Sequence, residues 1–115
     1  MSTHRLDRLL ALAAMQRDID LAKLGQLAEA RAETRARLED LRRSASAPVA
    51  TDPVLMGVRQ RHRLWADAQR AELNITLARQ EAAWLEARDH TRRSFGRAAV
   101  LERLAERQRE ADNKR

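Results

Sequence analysis

Cysteine and tyrosine are absent, and Trp65, Trp84 and Phe95 are the whole aromatic set. Without cysteine there is no disulfide framework and no thiolate zinc site, which fits a reducing compartment. Strands need β-branched and aromatic residues in alternation, and no segment supplies them. Gly25, Gly57 and Gly96 stand isolated, so there is no glycine-rich phosphate loop. The longest apolar run, Leu9 to Met15, falls far short of the roughly 20 residues that span a bilayer. His4, Arg5 and Arg8 precede that run as in a signal peptide, but Asp7 interrupts them and Gln16-Arg17-Asp18 continues a charged helix. The expectation is a cytoplasmic chain without membrane insertion, reaching the inner face of the cytoplasmic membrane only through partners.

Alanine, leucine, arginine and glutamate dominate instead, the composition of long helices and coiled coils. The net charge is +6, most of it after residue 54, and Lys23 and Lys114 are the only lysines. Two readings stand side by side: a GC-rich genome that favours arginine codons, or an acidic partner for the second half.

One break divides the chain, from Ser44 to Pro53. Pro48 cannot continue a helix and pushes Ala47 out of the helical region. Asp52-Pro53 reads as a helix start, an acceptor for orphan N–H groups followed by a proline suited to the first position. The pattern predicts a single domain, residues 1–115, with a helix over about 3–43, a loop over about 44–52 and a helix over about 53–112. The fold class is all-α, a long two-helix antiparallel coiled-coil hairpin.

The first helix carries a heptad seam Leu24, Leu27, Arg31, Thr34, Leu38, Leu41, and before it a shifted stripe Leu12, Met15, Ile19, Ala22. The shift suggests a stutter, with Gly25 at the join. The second helix offers two neighbouring stripes. One, read as the seam, is Leu64, Ala68, Ala71, Ile75, Ala78, Ala82, Leu85; the other is Leu73, Leu77, Trp84, Ala87, Thr91, Ala98, Leu101, Ala105. Together they make an apolar face wider than two strands of a coiled coil require, which points to a partner or to self-association. If the second helix folds back directly at the break, Leu38 faces Val58. About 20 residues, Phe95 to Arg115, then overhang the start of the first helix as a C-terminal helical extension.

Catalytic chemistry is hard to find. Glu86 and His90 form one i, i+4 pair, and no second pair completes a metal site. No nucleophile–base pair stands out, so the chain reads as non-enzymatic, with no cofactor and no metal. Most carboxylates lie within helical reach of arginines, as Glu29 and Glu33 do near Arg31 and Arg37. Asn74-Ile75-Thr76 matches a glycosylation sequon by chance. Trp84 is expected in the hairpin core. Trp65, with Leu64 and Ala68 near the loop, is either an interface anchor or packed on Pro48 and Val49.

The segment Phe95-Gly96-Arg97-Ala98-Ala99-Val100-Leu101-Glu102-Arg103-Leu104-Ala105-Glu106-Arg107 resembles the closing run of the FliJ/YscO family. These are the coiled-coil stalk proteins of flagellar and injectisome type III export. The start, Leu6-Asp7-Arg8-Leu9-Leu10-Ala11-Leu12, also looks like that family. The resemblance implies an antiparallel hairpin that inserts into the export ATPase ring and contacts the export-gate protein. The overhanging end, with Arg97, Leu101, Arg103, Arg107 and Arg109, would then enter the ring. Leu64, Trp65 and Ala68, nearer the tip, would meet the gate. The alternatives are a self-associating basic scaffold and a nucleic-acid-binding coiled coil. Glu102, Glu106 and Glu110 among the arginines count against the latter, because a phosphate-tracking face would be cleaner.

Overall fold

The computed structural model describes residues 3–45 and 52–114. These residues are all-α: α1 is Thr3–Ala45 and α2 is Pro53–Asn113, 43 and 61 residues long. Asp52 caps α2. Its side chain accepts from the Val54 N–H at 3.0 Å and its carbonyl from the Met56 N–H at 2.8 Å. Pro53, which has no N–H to satisfy, takes the first helical position. The expected linker around Pro48 and Val49 lies outside the described residues. Among the described residues, no helix is long and apolar enough to cross a membrane.

The helices pair in two compact units. Unit 1 joins the start of α1, to Gln26, with α2 from Trp84 onward; unit 2 runs from Leu27 to Ala83. Pairing is antiparallel in each. In unit 1, Thr3 meets Asp112 at 3.4 Å, Arg17 meets Glu102 at 3.9 Å, and Asp20 meets Ser94. In unit 2, Arg31 and Arg35 both reach Glu81, and Ser44 meets His62 at 2.7 Å. The fold is thus a two-helix antiparallel hairpin.

Burial shows which residues form the seam. On α1 it is Leu6, Leu10, Ala13, Arg17, Asp20, Leu24, Leu27, Arg31, Thr34, Leu38 and Leu41, all buried or half-buried. On α2 it is Ala66, Arg70, Leu73, Leu77, Gln80, Trp84, Ala87, Thr91, Ser94, Ala98, Leu101, Ala105 and Gln108. Steps of three and four alternate throughout both rows, which is the heptad pattern with seam positions a and d. The tightest contacts are at small residues: Ala66 is 1% exposed and Ala98 2%.

Several expectations need correction. There is no stutter on α1: the seam passes Gly25 in step, and a Cβ added there would meet nothing within 4 Å. Leu12, Met15, Ile19 and Ala22 are exposed, because seam positions beside them are taken by Arg17 and Asp20. On α2 the stripe from Leu64 to Leu85 is exposed along its whole length, with Leu64 at 63% and Ile75 at 56%. The neighbouring stripe from Leu73 to Ala105 is the packed one.

The C-terminal overhang is also absent. Ala98 and Ala105 are buried, and Asp112 lies at the first turn of α1. The extra length of α2 sits at its other end. The last turn of α1 meets His62, so residues 53–61 start before any described α1 residue can pair with them. Leu38 consequently lines a groove with Arg70 and Asn74 rather than facing Val58.

Candidate partner-binding surfaces

The seam itself is polar at its centre. In unit 1 the Ser94 hydroxyl donates to the Asp20 carboxylate, and the Gln16 amide donates to the same group at 2.9 Å. Thr91 Oγ1 lies 2.8 Å from the Ala87 carbonyl and 3.3 Å from the Asp20 carbonyl. Ser94 and Thr91 are both buried. Such a pair works in one alignment only, so it fixes the register of the two helices. The Ser94 hydrogen bond holds the Asp20 carboxyl below its ordinary value. Burial pushes it up in part, while Gln16, His90 and Lys23 also favour the charged form.

A pH consequence follows from that direction. Asp20 contributes stability that is complete above the ordinary carboxylate value of about 3.9 and is lost as the pH falls through the lower folded-state value. In Ser94→Ala the Asp20 carboxyl should titrate at higher pH than in the wild type. Carbon-detected NMR of the side-chain carboxyl reads this directly. An unmoved titration would mean that the hydroxyl does not hold the carboxylate.

The residues singled out near the tip lie together on unit 2 and face outward. Trp65 is 53% exposed. Its ring tilts against His62, with centroids 5.6 Å apart, and it borders a shallow groove with Arg37, Leu41 and Leu73. Leu64 and Ala68 are exposed beside it. Trp84 is different: it is a half-buried seam residue, with the Arg88 guanidinium 5.4 Å from its ring centroid.

The C-terminal residues do not form one row. Leu101 is half-buried in the seam, and Ala98 and Ala105 pack there with it, so this strip is already used by α1. Arg97, Arg103, Arg107 and Arg109 are all exposed, at heptad positions g, f, c and e. Arg97 and Arg107 therefore share one flank of unit 1, Arg103 points outward, and Arg109 lies on the opposite flank with Glu102. Arg103 and Arg107 make no ion pair or hydrogen bond with the described residues. On the Glu102 flank, Arg17 sits 5.6 Å from the centroid of the Phe95 ring.

Besides Leu12, Met15 and Ile19, whose stripe imitates a seam, Leu9 on α1 and Val100 and Leu104 on α2 are exposed apolar side chains. Among the described residues, no group of three histidines or carboxylates could hold a metal ion. No protein-family model, curated protein or solved structure matches the chain.

Proposed function

We propose that the chain is a non-enzymatic stalk or adaptor of a bacterial type III export apparatus, flagellar or injectisome, acting in the cytoplasm on the export ATPase ring and the export gate. The reading starts from the resemblance of residues 95–107 to the FliJ/YscO family. One structural observation carries it further: this segment is the packed end of an antiparallel helix pair, held by Ala98, Leu101 and Ala105, with Arg97, Arg103 and Arg107 turned outward. A stalk must enter a ring as an ordered rod. A helix of this length alone would be only marginally stable in water, and pairing with α1 supplies the order. Exposed guanidinium forks suit carboxylates on a ring lining. Leu64, Trp65 and Ala68 would serve the export gate, Trp65 as the anchor.

The test is ATP hydrolysis by the export ATPase against concentration of this protein. Reversal of Arg103 and Arg107 to Glu together should raise the concentration needed for half-maximal stimulation by about tenfold or more, since like charges now meet across the interface. Helicity should be unchanged, because both side chains are exposed. Full stimulation by the reversed protein would exclude this end as the ring-binding element.

A further inference from the structure

Charge is not shared evenly between the two flanks of unit 1. The helix pair places position e of α1 beside position e of α2, as Arg35–Glu81 shows in unit 2, and position g beside position g, as Ser44–His62 shows. In unit 1 the e flank, with its adjoining b positions, mixes signs: Asp7, Asp18, Glu102 and Glu106 stand with Arg88, Arg92 and Arg109, and it carries the interhelix ion pair Arg17–Glu102. The g flank, with its adjoining c positions, has no carboxylate from residue 3 to 23 of α1 or from residue 90 to 114 of α2. It has Lys23, Arg93, Arg97 and Arg107, all exposed. Arg93, Arg97 and Arg107 make no ion pair with the described residues.

The middle of the same flank is apolar. Leu9 and Leu104 stand at g on the two helices, and Leu12, Ile19 and Val100 at c, and every one of them is exposed. Leu9 precedes the seam residue Leu10 and Leu104 precedes Ala105, so both border the groove between the helices. From Leu9 to Ile19 the groove runs about 15 Å, roughly three turns of a helix.

The geometry points to a docking groove for one acidic amphipathic helix of a partner protein, laid along the g flank of unit 1 as a third strand. Its apolar face, with anchors at i, i+3, i+4 and i+7, would cover Leu9, Leu12, Val100 and Leu104. Its flanking glutamates or aspartates would pair with Arg93, Arg97 and Arg107. The charge pattern disfavours a second copy of this chain packed two-fold on the same flank, which would bring arginines against arginines. It disfavours nucleic acid, whose phosphates would be pressed onto leucine and valine. A groove between two helices accepts a helix ridge better than it accepts a flat bilayer. The groove shares Arg97 and Arg107 with the end proposed to face the ring, but it rests on the flank's own apolar row and charge, and peptide binding tests it whether or not the ATPase is stimulated.

The full chain would be titrated into a fluorescently labelled three-heptad peptide with leucine on one face and glutamate on both borders. Saturable binding is expected, weakening about tenfold as salt rises from low to several hundred millimolar. Arg97→Glu and Leu104→Ser should each weaken it about tenfold with helicity intact, the range of a modest interface contact. Arg92→Glu, at position b on the other side of α2, should change it less than twofold. The proposal is overturned if the peptide does not bind the folded chain, or if a peptide with lysine in place of glutamate binds as well. It is also overturned if phosphatidylglycerol vesicles or duplex DNA bind more tightly than the peptide, or if Arg92→Glu is as damaging as Arg97→Glu.

Discussion

Deleting residues 96–115 should cost about twice the helix that it removes. The deletion takes away Ala98, Leu101, Ala105 and Gln108, the α2 half of the seam opposite the start of α1. Leu6, a buried residue, and Leu10 and Ala13 would lose their cover, and Arg17 would lose Glu102. What remains unpaired at the start of α1 is a stretch of roughly 15 residues, and isolated helices of that length are marginal in water. Circular dichroism per molecule should therefore fall by the deleted turns and about as many again. Amide exchange should become fast over residues 3–17 while residues 27–83 stay protected. A fall limited to the deleted residues would show that the start of α1 is helical unaided. The consequence for function is practical: loss of ATPase stimulation on truncation would report unfolding as much as lost contact. The Arg103 and Arg107 reversals leave the seam intact and are the cleaner probe.

How far the sequence could be read depended on what kind of residue carried each feature. The helices were legible because Asp52-Pro53 is a strong start signal and no segment resembles a strand. The seam was not, because its central positions are Arg17, Asp20, Arg31 and Thr34 on one helix and Arg70, Gln80 and Ser94 on the other. Hydrophobic periodicity favours Leu12, Met15 and Ile19 over Arg17 and Asp20, and so it selects the exposed stripe. Some of these polar residues are satisfied across the seam, as Asp20 and Ser94 are, some bond within their own helix, as Thr34 does to the Ala30 carbonyl, and some extend their heads to the edge, as Arg17 does toward Glu102. Register was illegible for another reason. Nothing in the linker composition says how far α2 starts beyond the end of α1, and that offset alone turns an expected overhang into a packed end. Of the candidate residues, Trp65 could be read from the sequence either as an exposed anchor or as packed on the loop, and its ring is half exposed. The arginines were individually visible, but their division between flanks follows only once the seam is known.

Gln80 is where a polar seam residue has no evident compensation, and Gln80→Leu is expected to stabilise the protein by about 2 kcal/mol. The residue is half-buried at a seam position of unit 2, and its side-chain oxygen is buried without a hydrogen-bond partner. An unsatisfied buried acceptor costs roughly 1–3 kcal/mol. Leucine removes that cost and adds apolar burial worth on the order of 1 kcal/mol at a half-covered site. Helix propensity hardly changes between the two residues. The volume is similar, so overpacking should be small. The ion pairs of Arg31 and Arg35 with the adjacent Glu81 do not involve the Gln80 side chain and should persist. Urea unfolding followed by circular dichroism should show a higher midpoint with an unchanged slope. Gln80→Ala separates the two contributions, since it removes the acceptor without adding the larger apolar side chain. A destabilised Gln80→Leu would mean that the amide is held by a water or by a seam geometry that leucine cannot reproduce, and the stability argument for this position would fall.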